Sequence, residues 1–181
     1  MRTHVEMPLP PYIAAEGREA KRDMERYQTV FAKNPGAVAA PTAALHFTGP
    51  LLERLGTAGV EIRYVTLHVG LGTFRPVKTE QVKDHVMHEE KFMIPQETSE
   101  AVALAKREKR RVVAAGTTAV RALESLAVGG LEPDRWHATK MFIVPGYRFR
   151  AVDAMITNFH LPRSTLLMLV AAFAGKELLF R

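Results

Sequence analysis

Val65-Thr-Leu-His-Val-Gly-Leu-Gly-Thr-Phe74 is the stretch on which the fold turns. An apolar, β-branched run carries His68 and then breaks at Gly70 and Gly72, so a buried strand is expected to deliver the histidine to a loop of bare backbone. Glycines at such a strand end allow positive φ or let a ligand approach the peptide groups. Gly70-x-Gly72 lacks the third glycine of a dinucleotide fingerprint, so a purely structural turn is the competing reading.

Three other segments are built the same way. Ala37 to Pro41 reads as a short buried strand that Thr42 to His46 carries onward. Arg110 to Ala115 is strand-like and runs through Gly116-Thr117-Thr118 into an amphipathic helix reaching Leu126. Ala151 to Thr157 leads into Asn158-Phe-His160-Leu-Pro162, and Ser164 caps a final apolar helix to Ala174 that Gly175 stops. Strands alternating with helices make the class α/β, with a mixed, barrel-like sheet flanked by helices in a single domain over 1–181.

The remaining elements fill in between. Met7-Pro-Leu-Pro-Pro-Tyr-Ile13 is an extended, polyproline-like strap within a connector over 1–16. A charged helix is expected from about Gly17 to Lys33, with Met24, Tyr27, Val30 and Phe31 as its apolar stripe. Thr48 caps a helix to about Gly56 or Gly59, and Val60 to Val69 is the central strand. A helix-like stretch holds Asp84 to Glu90, Lys91 to Ile94 is a short strand, and Pro95 opens a helix to about Lys109. Leu131 to Thr139 reads as loop, Lys140 to Val144 as strand, and Pro145-Gly146-Tyr147 as a turn.

Composition narrows the function. The 181 residues are 47% hydrophobic, enough for one substantial core. The longest apolar run, Leu166 to Ala174, is about half of the roughly 20 residues a membrane span needs, so no membrane partner is expected. Zero cysteines exclude disulfides and thiolate chemistry and suit a cytoplasmic location. A net charge of +6 favours a polyanionic partner such as nucleic acid.

Four loop clusters gather at the expected strand ends: Thr42 with His46, His68 with Gly70, Gly72 and Thr73, Thr117 and Thr118 with Arg121, and Asn158 with His160. In an α/β sheet such loops converge on one edge, where ligands bind. A hydrogen-bonded structural role is the bland alternative for each histidine. His85-x-x-His88-Glu89 admits three readings, namely metal ligation, substrate contact and a structural role. No cysteine and no obvious further ligand accompany it, and no metal is assigned. Arg121 and Glu124, three apart on one helix, read as a surface pair, although Arg121 lies one turn inside a helix start that can hold an anion. The chain contains neither a P-loop nor G-x-S-x-G.

Met7 to Ile13, Gly36 to Ala43 with Leu45-His46-Phe47, Val65 to Phe74, Gly116 to Arg121 with Leu123-Glu-Ser125, and Thr157 to Pro162 with Ser164-Thr165 together resemble one family. It is the S-adenosylmethionine:tRNA ribosyltransferase-isomerase family of queuosine biosynthesis. The resemblance implies transfer of the ribosyl part of S-adenosylmethionine to 7-aminomethyl-7-deazaguanine at the tRNA wobble position. Isomerisation to an epoxycyclopentanediol then gives epoxyqueuosine and releases adenine and methionine. S-adenosylmethionine is here a substrate, and no cofactor is implied.

Such chemistry needs a base beside the sulfonium, groups for the methionine carboxylate and acid help for departing adenine. His46, His68 and His160 are the candidates for proton transfer. Thr117, Thr118 and Arg121 are candidates to bind a carboxylate or phosphate, and Asn158 a ribose hydroxyl or base edge. Thr42, Gly70, Gly72, Thr73, Arg75, His85, His88, Ser164 and Thr165 complete the expected substrate contacts.

The family's proteins are nearly twice as long, so this chain is expected to match the later part of theirs. It would then lack their N-terminal segment and inserted small β-barrel domain, and an unpaired sheet edge would favour self-association. A noncatalytic tRNA-binding fragment and another nucleoside-processing α/β enzyme are the rival readings.

Overall fold

A computed structural model describes residues 26–37, 39–70, 82–158 and 162–179. A 3-10 turn at Thr42–His46 precedes α1 (Gly49–Thr57), β1 (Thr66–His68), a second 3-10 turn at Val82–Asp84, and β2 (Glu90–Met93). Then follow α2 (Gln96–Arg107), β3 (Val113–Ala115), α3 (Thr117–Val128), β4 (Trp136–Thr139), β5 (Ala154–Ile156), α4 (Thr165–Ala174) and α5 (Lys176–Leu179). The class is mixed α/β, and the described strands fall into two small sheets: antiparallel β1-β2-β4 and parallel β3-β5.

Local chemistry explains the helix boundaries. Thr48 Oγ1 accepts from Leu51 N at 3.3 Å to start α1, and Ser164 Oγ accepts from Leu167 N at 3.2 Å to start α4. α2 follows Pro95 and carries Glu97 in its first turn with Lys106 and Arg107 in its last, the charge order its dipole favours. Gly175, at φ 84°, stops α4 in a backbone conformation that other residues adopt only under strain.

The core joins the sheets through α3. Phe92 and Ile94 at β2, Ala114 of β3, Val120 and Leu123 of α3, Ile143, Val152 and Leu169 of α4 form one buried cluster. Thr117 through Glu124 are all buried, so the first two turns of α3 are enclosed on every side instead of showing the polar face expected of an amphipathic helix. Asp153, just before β5, ties three elements together: its carboxylate accepts from Lys106 Nζ at 2.7 Å and from Val112 N at 2.9 Å. Burial pushes its pKa up, but Lys106 and the Val112 amide outweigh that and hold it below the ordinary 3.8. A depressed folded pKa stabilises the fold above the unfolded value and loses that contribution as pH falls through the folded one. Asp153→Asn is therefore expected to flatten the acid limb of a Tm-against-pH curve below about pH 4, with little change in the shape of the curve above it.

Several expectations are corrected. The connector over 1–16 and the expected helix through 25 lie outside the described residues. From Tyr27 to Lys33 the chain is not helical, because its apolar side chains go to different places. Tyr27 is buried, Val30 is exposed, and the Phe31 ring lies 5.8 Å from both the Phe47 and Tyr64 rings. Residues 39–40 form no strand, although Ala39 N donates to Val69 O at 3.3 Å. The central strand is only Thr66–His68; before it, Thr98 Oγ1 of α2 donates to Tyr64 O, so a side chain takes the place of a ladder bond there.

After Asp84 the helix-like stretch is irregular until Glu90 joins β2. Trp136 to Thr139 is a strand instead of loop, paired along its length with Glu90 to Met93. Lys140 to Val144 forms no strand: Met141 N is taken by Thr139 Oγ1 at 3.0 Å, while Ile143 anchors the segment in the core.

Candidate active site

The carboxyl ends of the parallel pair β3-β5 organise the site. Gly116, at φ 97°, turns β3 into α3 and donates its N–H to Ile156 O at 2.9 Å, locking the two strand ends together. The 3-10 turn seats against this glycine, with the Ala43 side chain 4.0 Å from where a Cβ on Gly116 would stand. Buried Ala43 and Ala44, and the bond from Ala44 N to Pro41 O at 2.8 Å, fix that turn. Its last residue, His46, reaches Asn158, two residues beyond β5, with Nε2 to Oδ1 at 2.7 Å. Segments 112 residues apart in the chain thus meet at the crevice position where open α/β sheets bind ligands.

Thr117 and Thr118 occupy the first turn of α3 beside this pair, where backbone N–H groups have no partner within the helix. One turn further, Arg121 is 3% exposed and its Nη2 pairs with Glu90 at the start of β2. Among the described residues its buried Nε and Nη1 have no hydrogen-bond partner. Glu124 is not a surface partner of Arg121. Its Oε2 accepts from Tyr147 Oη at 3.0 Å and Arg150 N at 2.9 Å, and its Oε1 from the amides of Ala151 and Val152 at 3.0 Å. Burial first, then the Glu124 carboxylate, pushes the Tyr147 phenol up to about 12, so it stays a donor.

His68 ends β1. It pairs with Lys91 across β1-β2, so it shares the sheet face of Lys91 and Met93, opposite to that of Glu90 and Phe92. Its ring rests 4.3 Å from the Trp136 ring, and its buried Nε2 has no hydrogen-bond partner among the described residues. Gly36 also packs against this ring, at φ 140°, where a Cβ would lie 2.5 Å from the imidazole Cε1. Gly36→Ala is therefore expected to destabilise the fold by roughly 1–3 kcal/mol, measured by urea unfolding, and to shift the His68 ring resonances. Gly70, by contrast, has no positive φ and open space at its Cβ position, so packing among the described residues does not require a glycine there.

Other expected contacts disperse. Gly72, Thr73, Arg75 and His160 lie outside the described residues. Thr42 opens the 3-10 turn, His85 packs on Phe142 with ring centroids 5.4 Å apart, and His88 is exposed. With the stretch irregular, the two histidines do not share a helix face, and among the described residues no group of three His, Asp or Glu side chains could hold a metal. Ser164 is engaged as the cap of α4, which Thr165 begins. Sequence reasoning missed Glu90, Glu124 and Trp136. In the short run Glu90-Lys-Phe-Met93 the two-residue strand period puts Glu90 on the face of apolar Phe92, and this was the available sign of the first.

Comparisons with known proteins give the family. The family model described as queuosine biosynthesis protein matches residues 1–181. The S-adenosylmethionine:tRNA ribosyltransferase-isomerase of Thermus thermophilus is 62% identical over 173 residues, covering 95% of this chain and 48% of that protein. The protein of that name from Citrifermentans bemidjiense is 59% identical over 173 residues, covering 94% of this chain and 50% of its own length. The solved S-adenosylmethionine tRNA ribosyltransferase of Thermotoga maritima superposes with a TM-score of 0.59 at 42% identity, over 76% of this chain and 43% of that one. The chain spans about half the length of the curated relatives it matches. With a family model matched from end to end and the five sequence motifs in order, the chain belongs to the queuosine biosynthesis protein family.

Proposed function

We propose that this chain, as one α/β domain, carries the S-adenosylmethionine and nucleoside site of a tRNA ribosyltransferase-isomerase. The substrate is the ribosyl part of S-adenosylmethionine, and the acceptor is 7-aminomethyl-7-deazaguanine at the wobble position of tRNA. The products are epoxyqueuosine-tRNA, adenine and methionine. The meeting of His46 with Asn158 beside the N-terminus of α3 carries the reading, because it sets a proton-transfer group next to an anion-binding helix end. In this reading His46 moves a proton, Thr117 and Thr118 hold the methionine carboxylate, and Arg121 supplies buried positive charge behind them. His160 follows Asn158 by two residues and remains in the proton-transfer set. His68, on the sheet face opposite Glu90, packs on Trp136 and the Gly36 segment and is given that structural role.

No resident cofactor is needed, since S-adenosylmethionine is consumed, and the +6 charge suits a phosphate-rich partner in the cytoplasm. Among the described residues no helix is long and apolar enough to cross a membrane. The test mixes the chain with S-adenosylmethionine and precursor-bearing tRNA and follows adenine by chromatography. Adenine release that requires the tRNA is expected. Binding of tRNA with no release, here and in a chain extended to its relatives' length, would identify a noncatalytic binding module, and release without tRNA a different nucleoside-processing enzyme.

A further inference from the structure

We infer that Asn158 is a positioning residue that fixes the tautomer of His46 and so makes Nδ1 the atom that accepts a proton. The inference rests on the proposed role of His46. Asn158 Oδ1 is an acceptor, so at 2.7 Å His46 Nε2 must carry its hydrogen and donate. A neutral imidazole protonated at Nε2 keeps its lone pair on Nδ1, and among the described residues Nδ1 has no hydrogen-bond partner. Both ends of the contact are anchored by backbone. His46 closes a 3-10 turn braced on buried Ala43 and Ala44, and Asn158 follows a strand end held by Gly116. The contact thus lies at the carboxyl edge, with the unpaired nitrogen facing away from Asn158.

In the reaction the proton leaves the carbon beside the sulfonium for Nδ1, and the bonding pair stays on that carbon. The imidazolium so formed keeps its Nε2–H on Asn158, whose amide oxygen stabilises the positive charge. An asparagine is neutral, so it orients the ring without competing for the proton.

The test uses the 181-residue chain labelled with 15N-histidine, and reads the ring nitrogens of neutral His46 by long-range 1H–15N correlation. The wild type is expected to show a single Nε2–H tautomer. Asn158→Ala should move both nitrogen shifts toward the exchanging mixture of free histidine, and Asn158→Asp, whose carboxylate also accepts from Nε2–H, should restore the wild-type pattern. In adenine release, Asn158→Ala is expected to lose about 10- to 100-fold, less than the roughly 100- to 10,000-fold assigned to a general base, with Asn158→Asp recovering part of it. An Nδ1–H tautomer in the wild type, or a tautomer indifferent to Asn158→Ala, overturns the inference. A tautomer as expected, with release undiminished in His46→Ala, removes His46 from proton transfer and so rejects Nδ1 as the accepting atom while leaving the structural contact in place.

Discussion

Glu124→Ala is expected to cost roughly 3–5 kcal/mol of unfolding free energy, a large part of the about 5–15 kcal/mol that holds a domain together. Glu124 is 0% exposed and gathers four donors, the Tyr147 hydroxyl and the amides of Arg150, Ala151 and Val152. Alanine leaves all four without an acceptor in a place water reaches poorly. Glu124→Gln keeps the shape, but its amide nitrogen must face one of the two donor pairs, so it should cost about half as much. Urea unfolding of the three proteins measures both figures. The loss should also reach the candidate site, because the segment Glu124 holds leads directly into β5 and on to Asn158. A Glu124→Ala protein as stable as the wild type would mean that the buried carboxylate is not what fixes this turn.

Arg121→Met should be comparably severe, at about 3–5 kcal/mol, because it takes the buried guanidinium away from the buried Glu90 carboxylate. The double variant Arg121→Met with Glu90→Gln removes both charges and is expected to recover a good part of that loss. The pair also sets geometry. It docks α3 on β2, assisted one turn later by Ser125 Oγ to Thr139 Oγ1 at 2.8 Å. A double-mutant cycle by chemical unfolding checks the coupling, and strictly additive losses would show that the two side chains do not act as a pair. Binding of S-adenosylmethionine separates stability from function. If Arg121 supplies charge to the carboxylate subsite, the double variant should bind it more weakly even where its fold is recovered.

Helix ends and the α/β class were legible because their causes are local. Thr48, Pro95, Ser164 and Gly175 act on the turn next to them, and α1, α2 and α4 fall within a few residues of expectation. The glycine turn after β3 was legible for the same reason, and with it the position of Thr117 and Thr118. What failed depends on distant partners. Tyr27 to Lys33 has a helical stripe, yet Phe31 is drawn to Phe47 and Tyr64, and the stripe is pulled apart. Trp136 to Thr139 has little strand signal of its own and becomes one because β2 offers it a ladder.

The site divides along the same line. The strand before Asn158 put it at the sheet edge, but His46 follows a segment that forms no strand, and their direct contact depends on how Gly116 seats the 3-10 turn. His68 ends a strand as expected, but strand-end histidines look alike in sequence. Only the β1-β2 register shows which face it takes. Arg121 and Glu124 look like a surface pair at helical spacing, and nothing local reveals that both are enclosed, one by Glu90 and the other by backbone amides.

The most direct test compares single-turnover adenine release from S-adenosylmethionine by the wild type and by His46→Ala, with precursor-bearing tRNA saturating. It is run in this chain and in one extended to the length of its relatives. The site described here predicts tRNA-dependent release that falls roughly 100- to 10,000-fold in His46→Ala, with tRNA affinity unchanged; release at the wild-type rate in His46→Ala would contradict it.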